Sequence, residues 1–562
     1  MEQAKEALTR VAQAARTLGW RLSNMKRERS EAPDYVLFML EGTYPELGPQ
    51  RTKWWQQLLP GEEKSLHALA QDFEMVAHDP RVRGVVLHLR SLFMPLAHLQ
   101  TLRGLIGELR AAGKHVVTWS QGYDTASYYV AAAADEILLQ PGGAVAPVGL
   151  SRELVFLKET LEEAGVTVDA VQITPYKAAP DMFTRSSSTE EMREMANWLI
   201  EDAFDDLLRG IAEGRNMDGQ AARALIDGAP YTDLQAVERG VVDKLLNEEA
   251  LPRYLADGGA PAQLGPWETA EKQVLSRPPK SPGRYIALLR IEGIIVPGKS
   301  RRPPLRPPVP LPYFMEEQAG DLTVVQEARA VLEDEDVAAV VLYVESGGGS
   351  STASEAMASA LKQVAAKKPL VVAMGAVAAS GGYYVATPAQ WIVAQPGTLT
   401  GSIGVFTLKP IVGGLLDKLQ VGREKLTRGE HATLFDPEQP FSEEERQKVW
   451  DSVARTYDLF LERVAASRSM TKEEVDDVSG GRVWTGNQAR ERGLVDELGG
   501  LEAAIAKARE LAGLPEDTPV KQVTHGKHPL PPLSPNGDGL AFMRFNRADP
   551  LLLCPLLWND RL

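Results

Sequence analysis

Ser380 lies in the segment AASGGYYVA, directly before Gly381 and Gly382, and Lys177 lies in TPYKAAPDMFTR. A serine hydroxyl is a weak nucleophile until a base takes its proton. Lysine serves as that base only when neutral, and at a reference pKa of about 10.4 roughly one in 2,500 is neutral at pH 7. Lowering that pKa by about three units costs roughly 4 kcal/mol of differential solvation. Burial in an apolar groove supplies the shift, because desolvation disfavours the ammonium. Acyl transfer also needs backbone N–H groups aimed at the oxyanion. The natural donors are Gly381, the residue after the serine, and Gly348 or Gly349 in the run ESGGGSSTASE, where glycine lets the backbone approach a ligand closely. Taken singly, a serine among small residues is a packing or turn residue, a lysine is a solvated charge, and a glycine turn is only a turn. The case rests on how the chain arranges them.

That arrangement is an internal repeat with a period near 253 residues. YVLFMLEG ends at Gly42 and YIALLRIEG at Gly293, an offset of 251. VRGVVLHLRS matches VAAVVLYVES, and SYYVAAAADEILLQPGGAVAPVG matches GYYVATPAQWIVAQPGTLTGSIG at an offset of 255. YTDLQAVERGVVDKL matches WTGNQARERGLVDEL, with Gly240 and Gly493 differing by 253. Buried-strand runs alternating with helical stretches indicate an α/β fold. The copies have lost different parts. Copy two keeps Ser380 and the glycine loop, where copy one has Thr125 and Leu92, Phe93 and Met94. Copy one keeps Lys177, where copy two has Glu430, give or take a residue or two. Reciprocal loss makes sense if one composite site takes its serine from one half and its lysine from the other, either within a chain or between neighbours. Of the histidines, only His431, near the lysine-equivalent stretch, is a rival base; His67, His78, His88, His98 and His115 fall in no motif, and His525 and His528 sit in a loop.

The 562 residues are enough for two to four domains. The expected boundaries are a basic amphipathic helix at 1–30, a first repeat at 31–257, a Gly/Pro-rich linker at 258–282, a second repeat at 283–515, and a Pro/Gly-rich tail at 516–562. The formal charge of −15 argues against nucleic acid as a partner. The one cysteine, Cys554, excludes an intramolecular disulfide framework and fits a reducing compartment. No segment has the 18 to 20 continuous apolar residues, roughly, of a membrane-spanning helix. Residues 1–30 carry seven Lys/Arg against three Asp/Glu, with Leu18 and Leu22 at helical spacing. They read either as a docking helix or as a helix lying on an anionic membrane. Trp54 and Trp55 read as an apolar rim or packing element.

The tandem α/β repeat, the turn ESGGGSSTASE, the segment MGAVAASGGYYVATPA, the following TLTGSIGV and the first-half ITPYKAAPDMFTR together resemble the signal peptide peptidase A family in its long, two-repeat bacterial form, over about residues 30–515. The resemblance implies a tandem repeat of Clp protease/crotonase-like ββα domains with mostly parallel sheets and helical extensions. It implies a serine endopeptidase that degrades signal peptides or other short apolar peptides through an acyl-enzyme. The Ser/Lys dyad falls on Ser380 and Lys177, and the lysine-orienting hydroxyl of the TGSIG motif falls on Ser402. It further implies no metal or organic cofactor and a homo-oligomer, a tetramer being favoured. The family turn has Pro where this chain has Gly347. Long members carry an N-terminal membrane helix and this chain shows none, so the expected location is cytoplasmic or peripheral to the inner membrane. The alternative functions are a non-catalytic peptide-binding ring scaffold and a crotonase-type acyl-CoA enzyme. The terminal run LLLCPLLW has the composition of an apolar substrate and is expected to occupy a groove in its own or a neighbouring chain.

Overall fold

The computed structural model describes residues 16–48, 64–279, 283–301, 317–523 and 550–554. Trp54, Trp55, His525, His528 and residues 1–15 of the expected N-terminal helix lie outside the described residues.

Each repeat builds one mostly parallel sheet. In the first, Tyr35–Gly42, Gly84–Leu92, His115–Asp124 and Glu136–Ala146 are successive parallel neighbours, with Val36 opposite Val85 and Val85 opposite Val116. In the second, Val520–Gln522, Tyr285–Glu292, Val337–Ser346, Leu370–Ala379 and Leu399–Gly401 follow in the same way. Helices cover both faces of such sheets, so their strands are apolar on both sides. Val85, Val86 and Leu87 are fully buried, and so are Val340, Val341 and Leu342.

The sequence repeat recurs as repeated hydrogen bonding. The Tyr128 hydroxyl donates to the Val241 carbonyl at 2.8 Å, and its counterpart Tyr383 donates to Leu494 at 2.8 Å. The aspartates of GVVDKL and GLVDEL do the same work twice. Asp243 accepts from the Ile137 amide and pairs with Arg215; Asp496 accepts from the Ile392 amide and pairs with Arg468. These matched pairs explain why the two motifs read alike.

Segments expected to be irregular contribute edge strands. Leu264–Pro266, inside the Gly/Pro-rich linker stretch, pairs in parallel with Tyr35–Gly42. Val520–Gln522, in the tail, extends the second sheet. Residues 16–28 form a helix that docks on the linker. Trp20 and Asn24 donate to the Ser276 carbonyl, and Arg27 donates to the carbonyls of Glu271 and Val274. Its Leu18, Leu22 and Met25 remain exposed. No helix among the described residues is long and apolar enough to cross a membrane.

Two features join the repeats. The helix Glu190–Gly214, capped by Thr189, packs its first half on the second repeat and its second half on the first. Met195 and Leu199 pack with Ala379, Leu399 and Val483, whereas Leu207 and Ile211 belong to the first repeat's core. Trp198 donates to the Val483 carbonyl, and Asp206 accepts from Asn487. The other joint is a third sheet, in the order Gln318–Gly320, Ile294–Val296, Gly348–Ser350, Leu551–Leu553, Phe406–Ile411 and Thr167–Gln172. It draws strands from both repeats and from the C-terminal tail, and it frames the site.

Candidate active site

Ser380 stands at the turn from the strand Leu370–Ala379 into the helix Gly381–Ala386. Its backbone sits at φ 55°, ψ −114°, a region that costs a residue with a side chain of order 1–3 kcal/mol. Its N–H donates to the Gly401 carbonyl at 2.7 Å, and its carbonyl accepts from Tyr384 N–H at 2.8 Å. The glycines after it are steric necessities. A Cβ on Gly382 would lie 2.3 Å from the Ser346 carbonyl oxygen, and one on Gly381 would lie 2.9 Å from Ser354 Oγ. In the first repeat the equivalent turn is an ordinary capped helix start. Asp124 caps it and forms a reciprocal pair with Ser127, and Thr125 occupies the serine's place.

Lys177 follows the strand Thr167–Gln172, which runs antiparallel to Phe406–Ile411 of the second repeat. That pairing carries the lysine across to the serine. The loop is pinned by Tyr176 N–H donating to the Gly480 carbonyl at 3.0 Å. Nothing in the sequence singles out Gly481, yet a Cβ there would lie 2.2 Å from the Lys177 nitrogen. The Lys177 Nζ is 2.7 Å from Ser380 Oγ, 2.8 Å from the Ser402 carbonyl oxygen and 3.0 Å from Ser402 Oγ. Lys177, Ser380 and Ser402 are all fully buried. Burial pushes the lysine down to about 7, opposed by the negative form of the Cys554 thiol nearby. His431 is not the partner of Ser380; it groups with the exposed Glu430 and Glu444.

The glycine loop meets the serine turn. Gly348 (φ 105°) and Gly349 (φ 157°) face Gly381. An atom added at the Gly348 Cβ position would lie 2.6 Å from the Gly381 nitrogen, and one at the Gly381 position 3.2 Å from the Gly349 nitrogen. The Gly348 N–H donates to Ser346 Oγ at 3.1 Å, and that hydroxyl donates to the Gly293 carbonyl at 2.6 Å. Ser346 thus braces the loop from below. It carries no sequence signal, because a serine ending a buried strand has no motif of its own.

The three contacts of Nζ have a chemical consequence. A neutral amine offers two N–H donors and one lone pair. The Ser402 carbonyl can only accept. If Ser402 Oγ takes the second N–H, the lone pair faces Ser380, whose O–H then points at nitrogen. This is the geometry of a base about to remove the hydroxyl proton.

The sequence matches peptidase family S49 twice, over residues 108–259 and 362–515. The chain belongs to this family. Its S49 relatives include the chloroplastic serine protease SPPA of Arabidopsis thaliana, 31% identical over 458 residues, covering 80% of this chain and 66% of that protein. Protease 4 of Haemophilus influenzae is 32% identical over 462 residues, covering 79% of this chain and 72% of the relative. Among solved structures, ClpP1 from Listeria monocytogenes covers 38% of this chain and 91% of its own, at 12% identity and a TM-score of 0.22. A mutant of the 1510-N membrane-bound stomatin-specific protease covers 43% and 98%, at 13% identity and a TM-score of 0.27. As an S49 member with both repeats present, the protein is a serine peptidase of tandem α/β architecture.

Proposed function

We propose that this peptidase works through a Ser380/Lys177 dyad and degrades signal peptides or other short apolar peptides. The observation that carries the reading is the 2.7 Å contact between Lys177 Nζ and Ser380 Oγ in a fully buried setting. Neutral Lys177 takes the hydroxyl proton while Ser380 attacks the scissile carbonyl. The Gly381 N–H, together with a donor from Gly348 or Gly349, holds the oxyanion. The Gly348 donor is shared with Ser346 Oγ. The protonated lysine then gives its proton to the leaving amine. Water activated by the same lysine releases the acyl group from Ser380. Ser402 holds Nζ from the far side throughout. No step calls for a metal or organic cofactor.

Apolar walls beside the dyad support an apolar substrate. Ala178, beside Lys177, and Ala379, beside Ser380, pack with Met192, Met195, Leu199, Leu399 and Val483 in one buried apolar cluster, where a polar side chain would be without partners. We further propose a homo-oligomer, a tetramer being favoured, located in the cytoplasm or peripherally on the inner membrane. The exposed Leu18, Leu22 and Met25 support membrane contact. The test is hydrolysis of a fluorogenic apolar peptide by wild type, Ser380→Ala and Lys177→Ala, with assembly size measured for each. Turnover by wild type, lost in both variants at unchanged assembly size, is the expected result. Undiminished turnover in either variant would remove that residue from the mechanism.

A further inference from the structure

The third sheet is continuous only because the tail completes it. Leu551–Leu553 runs antiparallel to Gly348–Ser350, with Leu552 opposite Gly349 and Leu553 opposite Gly348. On its other side Leu551 lies opposite Phe406. Without these residues the sheet divides into two halves separated by a slot one strand wide. One edge of the slot is the glycine loop. The other is Phe406–Ile411, the partner of the strand that leads to Lys177. An unpaired edge of this kind takes an extended peptide by main-chain hydrogen bonding.

The tail sits in the slot in substrate fashion. Cys554 N–H donates to the Gly347 carbonyl at 2.7 Å, and Ser351 N–H donates to the Pro550 carbonyl at 3.2 Å. Side chains alternate along a strand, and these do. Leu551 and Leu553 lie against Ile294, Val296 and Phe406, whereas Leu552 joins the second core and Cys554 packs in the apolar cluster with Ala178, Met195 and Leu199. Ala178 and Ala379 of that last cluster are the chain neighbours of Lys177 and Ser380. With the tail in place, Ser380 and Lys177 have no exposure to solvent, so no other peptide reaches them.

The next residue in the sequence is Pro555. The residue before proline is driven toward extended backbone, which suits Cys554 to strand pairing. Proline also carries a ring carbon where every other residue carries its N–H. The peptide bond after Cys554 is therefore a tertiary amide, whose nitrogen bears a ring carbon where a secondary amide bears hydrogen.

We propose that residues 550–554 are an uncleavable substrate mimic that closes the active-site slot of their own chain. This rests on the Ser380/Lys177 reading. A tethered segment acts at a local concentration of order millimolar. It competes with substrate, so it raises apparent KM and leaves kcat alone. Opening requires only that a short strand leave, and a substrate of higher affinity takes its place.

Three variants are compared with the full chain on the fluorogenic peptide: a chain ending at Asp549, full-length Leu552→Arg, and full-length Pro555→Ala. The first two are expected to show a KM at least tenfold lower at similar kcat, and to be labelled faster by a fluorophosphonate. Unchanged KM and labelling would overturn the proposal, as would loss of turnover in both, which would make the strand structural. Pro555→Ala is expected to cut itself after Cys554. Ser380 Oγ bonds the Cys554 carbonyl carbon, the peptide bond from Cys554 to the substituted alanine breaks, its nitrogen takes a proton, and water frees the Cys554 carboxylate. Mass spectrometry then reads the loss of residues 555–562, and Ser380→Ala/Pro555→Ala keeps them. A Pro555→Ala chain that stays whole while hydrolysing the fluorogenic peptide would overturn the register. Should no form turn over any peptide, the dyad reading fails by itself. Binding then decides the tail: a fluorescein-labelled peptide of residues 548–558 is expected to bind the chain ending at Asp549 one to one, and absence of binding would overturn the proposal.

Discussion

Lys177 Nζ lies 2.7 Å from Ser380 Oγ across 203 residues of chain. The two come from different copies of a repeat, and each copy lacks the other's group. A duplicated fold that kept both groups twice would present two sites; this one has divided a single set. The division is held by the antiparallel pair Thr167–Gln172 and Phe406–Ile411 and by the helix Glu190–Gly214. Relative movement of the repeats would therefore act on the dyad distance first.

Lys177→Met is expected to abolish turnover and yet stabilise the fold. The lysine stays at about 7 because burial opposes its charge. Replacing a buried ion pair with apolar residues of similar volume is often neutral or stabilising by about 1–4 kcal/mol, and the same relief of desolvation applies to this lysine, offset here by the lost hydrogen bonds to Ser402. Thermal or denaturant unfolding of the two chains reads the difference. A less stable Lys177→Met would mean that those hydrogen bonds outweigh desolvation. His431→Ala is expected to leave kcat unchanged.

Activity should rise with pH through about 7 and level off above it, since the base works only when neutral. Stability moves in the same direction. The folded pKa lies below the unfolded one, so between about 7 and 10.5 the unfolded chain holds the extra proton and stability rises with pH. A profile flat from pH 6 to 9 would exclude Lys177 as the base.

The repeat, the buried strands and the residues Ser380, Lys177, Ser402, Gly348, Gly349 and Gly381 were legible because each occupies a motif or a position where the two copies differ. The tail's strand was not. Leu551–Leu553 is too short to show a period, and its pairing depends on a slot formed by residues about 145 and 200 positions upstream. Leu264–Pro266 is hidden for a related reason: glycine and proline signal a turn, yet an edge strand tolerates both. Ser346 and Gly481 act through backbone contacts that no side-chain pattern announces.

Ser402 separates chemistry from backbone strain. Its Oγ is one of three contacts of Nζ, and its φ is 50°. Ser402→Ala and Ser402→Gly both lose the hydroxyl and keep the carbonyl contact. Both should lower kcat to a similar degree, about 10- to 100-fold, with KM little changed. The alanine chain should also be less stable than the glycine chain by about 1 kcal/mol, because glycine adopts positive φ without penalty. Unequal kcat values would mean that loop conformation, and not the hydroxyl, sets the rate.

Gly348→Ala tests whether the slot must admit a backbone at van der Waals distance. A Cβ at this position would lie 1.8 Å from the Leu552 carbonyl oxygen and 2.6 Å from the Gly381 nitrogen. It would exclude the tail and any substrate strand alike, and would push the oxyanion donors apart. The positive φ adds a strain of its own, so Gly142→Ala serves as control: its φ is +83° and nothing lies within 4 Å of an added Cβ. Both variants should lose about 1 kcal/mol of stability to backbone strain. Only Gly348→Ala should lose kcat/KM, by at least about 100-fold, the scale of one missing oxyanion donor. Its tail should also become accessible to limited proteolysis while the tail of Gly142→Ala stays protected. Equal activity in the two variants would mean that substrate does not add as a strand against the glycine loop.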